Sequence, residues 1–82
     1  MAVKYALTTE KAVARIDKDN ELVFVVQEHA SKPEIKKELE ASYQEKIRSI
    51  RTLHDMHGKK KAVVLFERKG AAADLAAKLK VI

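Results

Sequence analysis

The sequence predicts one small α/β domain of the α+β kind. Its mainly antiparallel sheet has about four strands, with helices on both faces, in the order β-α-β-α-β-β-α. Three observations lead there. Leu22 to Val26 (LVFVV) and Ala62 to Phe66 (AVVLF) are apolar at every position and rich in β-branched residues, as strands covered on both faces must be. Ile35, Leu39 and Tyr43 recur at i, i+4 and i+8, and Ala72, Leu75, Ala76 and Leu79 repeat at helical spacing, so these segments are helices with one apolar side. Strands of the first kind interleaved with helices of the second bury their apolar surface by packing the helices against a sheet.

Each element has its own signals. Tyr5 to Leu7 is a short strand, after which Thr8 or Thr9 offers a hydroxyl cap and Glu10 places an anion in the first helical turn, where the helix dipole favours it. Ala12, Val13 and Ile16 then mark a short helix from about Glu10 to about Asp17, ended by Asp17, Asp19 and Asn20. The clearest helix start is Ser31-Lys32-Pro33-Glu34. Ser31 caps the helix, Glu34 reaches back to the Ser31 amide, and Pro33 lies in a turn where its missing donor costs nothing. Lys32, Lys36, Lys37, Glu38 and Glu40 are expected on the solvated side. Ile47, Ile50 and Leu53 recur at three, which strict alternation does not allow, so a strand with a bulge or strong twist near Ser49 is expected, with a helical continuation as the alternative. Gly58 supplies a turn that joins this strand to Ala62 to Phe66 as a hairpin, and Gly70 precedes the last helix.

Composition narrows the functions available. A chain of 82 residues buries only about 60% of the surface it exposes when unfolded, which argues against a deep, enclosed active site. With 46% hydrophobic and 35% charged residues the chain has material for a thin core and should fold. The absence of cysteine excludes disulfides and thiolate metal sites. Met1 to Leu7 has neither the pattern of a signal peptide nor the length of a membrane span, so a soluble, unexported protein is expected. The net charge of +5 is concentrated. Lys46, Arg48, Arg51, Lys59, Lys60 and Lys61 lie in one segment with a single acid, Asp55, while the rest of the chain carries eleven bases and eleven acids. One basic surface on a neutral body is the footprint of a polyanion partner.

The hairpin from Lys46 to Lys61 is therefore the leading candidate site. It should bring Arg48 and Arg51 of the outgoing strand, His54 and His57 near the tip and Lys59 to Lys61 of the return onto one surface able to contact RNA phosphates and 2′-hydroxyls. The bland alternative is a solvated hairpin whose lysines protect an edge strand from aggregation. Its tip is expected to be mobile, since few acids stand near its bases. His54 and His57 with His29 do not make a metal-ligand pattern, and neither a metal nor any other cofactor is expected. Glu28, Glu34, Glu38 and Glu40 pair with no candidate nucleophile, and neither glycine belongs to a phosphate loop, so no enzyme is expected. Tyr5, Phe24, Tyr43 and Phe66 read as core residues rather than base-stacking platforms.

Several strings then resemble a known family. They are Lys4-Tyr5 with Thr9-Glu10-Lys11-Ala12, Asn20 to Val26, Ala30-Ser31-Lys32-Pro33-Glu34-Ile35-Lys36, Ile50-Arg51-Thr52-Leu53, Gly58 to Val64, and Ala76-Ala77-Lys78-Leu79. In order and over nearly the whole chain they resemble the universal large-subunit ribosomal protein family numbered twenty-three, in its short archaeal form. The resemblance implies a single domain over residues 1–82, working in the cytoplasm within the ribosome. It would bind large-subunit ribosomal RNA beside the polypeptide exit tunnel and touch neighbouring ribosomal proteins. It would also help receive the signal recognition particle and the protein-conducting channel, with no membrane insertion of its own. By the resemblance, Lys32, Lys36, Arg51, Thr52 and Lys59 to Lys61 face RNA, and Glu10 faces the docking factors. Glu10 is equally explained by its place in the helix dipole.

Three positions depart from the family pattern. Arg51 replaces a usual asparagine, which exchanges an amide contact for a phosphate or stacking one. The tip from His54 to Lys60, at about 3.3 Å per residue, is too short to line the tunnel. Lys80 stands where relatives often have glycine. A free-standing protein-binding adaptor is the alternative function, and the two separate by salt dependence, steep for RNA and slight for an apolar contact.

Overall fold

The computed structural model describes residues 1–80. The elements are β1 (Val3–Ala6), α1 (Glu10–Asp19), β2 (Glu21–Val26), α2 (Lys32–Tyr43), β3 (Ile47–His54), β4 (Lys60–Phe66) and α3 (Ala71–Lys78). The four strands form one antiparallel sheet in the order β1-β2-β4-β3. The predicted element order therefore holds. β1 begins two residues earlier than expected and leaves out Leu7, whose amide still donates to the Val23 carbonyl at 2.8 Å.

The two all-apolar strands, β2 and β4, are neighbours at the centre of the sheet, and all six residues of β2 are buried. One sheet face carries Leu22, Phe24 and Val26 of β2 with Ala62, Val64 and Phe66 of β4. It is covered by Ile35 and Leu39 of α2 and by Ala72, Leu75 and Ala76 of α3. On the second face Val23 and Val63 meet only Ala12 of α1, with Leu7 beside them. The expected cover on both faces is thus lopsided. Two helices lie on the first face, and α1 reaches the second from the side, because β1 stops at Ala6 while β2 runs on to Glu21 and leaves room beside it. Ile16 of the same helix turns to the first face.

The spacing of three in β3 has the predicted cause. The pairing with β4 slips between Ile47 and Ser49, so Ile47, opposite Phe66, and Ile50, opposite Val64, both face the core. Leu53 does not join them. It pairs with Lys61 on the second face and is 45% exposed. Tyr5 likewise lies opposite Val25 and is 49% exposed, so it is a surface residue rather than part of the core; Phe24 and Phe66 are buried and Tyr43 is half-buried, as expected.

The caps tie these layers together. The Ser31–Glu34 capping box is present, and Thr9 Oγ1 accepts from the Ala12 amide. Glu38 and Glu40, expected in solvent, are instead half-buried structural acceptors. Glu38 takes the amides of Ala2 and Val3 at 2.8 and 2.9 Å, and Glu40 takes the amide of Ile47 at 2.9 Å. These carboxylates fix the start of both edge strands to α2. Asn20 ends α1 in a left-handed conformation at φ 56°. Its Nδ2 donates to the carbonyls of Phe66 and Arg68, and its Oδ1 accepts from the Ala72 amide, so one side chain joins the ends of α1 and β4 to the start of α3. Arg68 braces the same corner. Its guanidinium grips Glu45 through two nitrogens and reaches Asp74, which holds the Glu45 carboxyl below the usual carboxylate range. Lys80 has φ 58°, a backbone state that glycine adopts without strain.

Asn20→Gly keeps the left-handed turn and deletes three hydrogen bonds. It is expected to lower unfolding free energy by about 1–3 kcal/mol, read from chemical denaturation. A loss within a few tenths of a kcal/mol contradicts the role given to this side chain.

Candidate nucleic-acid interface

β3 is an edge strand, and the candidate residues distribute around it. Lys32 and Lys36 lie one turn apart on α2, both exposed, and with Pro33 they form one wall of a groove whose other side is Ile47, Ser49 and Ile50 of β3. Arg48 falls at the register slip, without a cross-strand partner among the described residues, and is exposed. Further along, Thr52 pairs with Ala62 and is half-buried, and His54 pairs with Lys60 and is exposed. Lys32, Lys36, Arg48, Thr52 and His54 thus follow one edge of the molecule.

The hairpin does not place every base on that edge. Arg51 pairs with Val63 and Lys61 with Leu53, on the sheet's second face. Arg51 Nη2 donates to Glu21 Oε2 at 2.9 Å, and Arg15 Nη1 donates to Oε1 of the same carboxylate at 3.3 Å. Glu21 is the one charged residue buried among the described residues, and two arginines offset its desolvation. Neither Arg15 nor Glu21 stood out in the sequence. The only signal is the position of Glu21 at the head of an apolar run, and its partners come from strands and a helix whose register the sequence does not reveal. Lys60 turns away from the other lysines, donating to the Ala30 carbonyl at 2.7 Å and more loosely to that of Glu28.

The tip, Asp55 to Lys59, folds around its one acid. Asp55 Oδ1 accepts from the amides of His57 and Lys59, both at 2.9 Å, while the Asp55 amide donates to the Lys59 carbonyl. Asp55 Oδ2 lies 3.5 Å from Lys61 Nζ. The backbone amide of Lys59 is the main reason the Asp55 carboxyl is held below its usual range, helped by the amide of His57 and the charge of Lys61. Gly58 turns the chain at φ 82°. Acid–base pairing at the tip is therefore greater than a count of nearby acids suggests, although His57 and Lys59 themselves remain exposed.

Glu10 is exposed in the first turn of α1, a helix that packs beside β2, two strands from β3 in the sheet order, although its Arg15 shares Glu21 with Arg51 of β3. It is separate from the basic edge. Among the described residues no three His, Cys, Asp or Glu side chains gather as a metal site, and no helix is long and apolar enough to cross a membrane.

These features define a small α/β module with a cationic strand edge and an apolar, largely helix-covered interior. The model of the family described as ribosomal protein L23 matches residues 1–80. A curated relative from the archaeon Methanospirillum hungatei, named large ribosomal subunit protein uL23, is 35% identical over the full length of both chains. Relatives of the same name from Tetrahymena thermophila and Trypanosoma brucei brucei are 39% and 38% identical over 98% of this chain. The chain spans about half of their length, 53% and 49%. The chain belongs to the ribosomal protein L23 family, and it is a structural ribosomal protein rather than an enzyme.

The tip should respond to acid in one direction. A carboxyl whose folded value is depressed contributes stability above the ordinary aspartate range, and loses it as pH falls through the depressed value. The side-chain carboxyl carbon resonance of Asp55 should show its midpoint below the usual aspartate value of about 3.9. A transition at or above that value contradicts the assigned bonding.

Proposed function

We propose that this protein is a cytoplasmic structural component of the large ribosomal subunit that binds large-subunit ribosomal RNA beside the polypeptide exit tunnel. The observation that carries the reading is the row of exposed cations along β3 and α2. Lys32, Lys36, Arg48 and Lys59 have no carboxylate within ion-pair distance among the described residues, so their charge is available to phosphates. Thr52, His54 and His57 add polar groups along the same edge and tip. Arg51, Lys60 and Lys61 contribute positive potential while bonded within the protein. Residues 1–82 act as one RNA-binding domain. The short closed tip gives no reach into the tunnel.

The side of α1 away from β3 remains open to other partners. In this reading it faces outward from the RNA, beside neighbouring ribosomal proteins, and helps receive the signal recognition particle and the protein-conducting channel. Glu10 offers a carboxylate there to a basic surface. Contact with the channel needs no insertion of this protein into the membrane.

Co-sedimentation of the full chain with large ribosomal subunits across a salt series tests both parts. Replacing Lys32, Lys36, Arg48 and Lys59 by alanine should weaken association and flatten its dependence on log salt by about one unit for each phosphate no longer neutralised. Glu10→Lys should leave that association unchanged and reduce recruitment of the signal recognition particle to the same particles. A quadruple variant that binds like the wild type removes the RNA reading, and normal recruitment by Glu10→Lys removes the docking one.

A further inference from the structure

The groove between α2 and the slipped start of β3 differs from the rest of the basic edge. Its volume is about 360 Å³, within the range of small-ligand pockets. Lys32 and Lys36 stand one helical turn apart on its rim, and no acid among the described residues lines it. Its interior is made by Pro33, Ile47 and Ile50, and the strand passes along its wall at Ser49, whose side chain lies on the other face of the sheet opposite Leu65. Two ammonium groups alone would suit any phosphate. An apolar floor beneath them does not, because a phosphate seated on it would lose hydration without gaining donors.

From this combination we infer that the groove takes a single unpaired nucleotide of the RNA, its base lying on Pro33, Ile47 and Ile50 and its flanking phosphates meeting Lys32 and Lys36. The inference rests on the RNA-binding reading and adds what the RNA must look like at this point. A paired base keeps its faces stacked within the helix, whereas a bulged or looped base has a face free for an apolar surface. The register slip produces the site. It brings Ile47 and Ile50 to the same face as α2 and turns Arg48 outward, where regular alternation would separate the two isoleucines.

The test is fluorescence anisotropy of the full chain with three RNA hairpins that share one sequence. The first is fully paired, the second carries one unpaired adenosine, and the third has an abasic residue at that position. The unpaired adenosine should strengthen binding about tenfold over the other two. Pro33→Asp, which replaces an apolar lining residue by a carboxylate in a first helical turn that tolerates one, should abolish that difference while preserving salt-sensitive binding to all three. Equal, salt-sensitive binding of the three RNAs by the wild type overturns the nucleotide site and leaves the RNA-binding edge intact. No binding to any of them overturns both.

Discussion

The pairing of β2 with β4 constrains everything else in this molecule. Each strand is apolar on both faces, so neither can lie at an edge without exposing a row of Val, Leu and Phe side chains. Side by side at the centre they bury one another's flanks and leave the edges to β1 and β3, which carry the polar residues. The basic strand is therefore an edge strand for a reason of packing. Its charges reach solvent because the apolar strand beside it has taken the interior position.

Polar side chains then fix what apolar burial alone leaves loose. Glu38 and Glu40 hold the beginnings of the two edge strands to α2, and Asn20 joins three elements at one corner. In a domain this small such bonds matter, because the core is thin and total stability is the small difference of large opposing contributions. They also keep two surfaces apart. The cations follow β3 and the adjoining side of α2, whereas Glu10 lies with α1 beyond β2. In the proposed function RNA meets the first of these surfaces and a protein partner the second.

Much of the fold was legible because local signals agreed with the final structure. The capping box at Ser31 and the unbroken apolar runs of β2 and β4 each had one physical reading, the spacing after Ile47 favoured a bulged strand over a continued helix, and each appears in the structure. What escaped depends on contacts between distant segments. Glu38 and Glu40 look solvated on a helical wheel, and only the approach of the Ala2, Val3 and Ile47 amides makes them structural. Leu53 fits the spacing of Ile47 and Ile50 but follows the slip, so alternation carries it to the other face. The same logic limited the site. A charge count located the basic segment, yet the pull of Ala30 on Lys60, of Glu21 on Arg51 and of Asp55 on Lys61 required the folded register.

In the proposed function the β3 edge and the hairpin, rather than the β1 side, meet ribosomal RNA. Hydrogen exchange of the full chain, free and then bound within large ribosomal subunits, tests it most directly. New protection is expected in the first turns of α2, along β3 and at the tip, with the start of α1 little changed. Protection concentrated at β1 and the start of α1, with the hairpin exchanging as in the free protein, would contradict it.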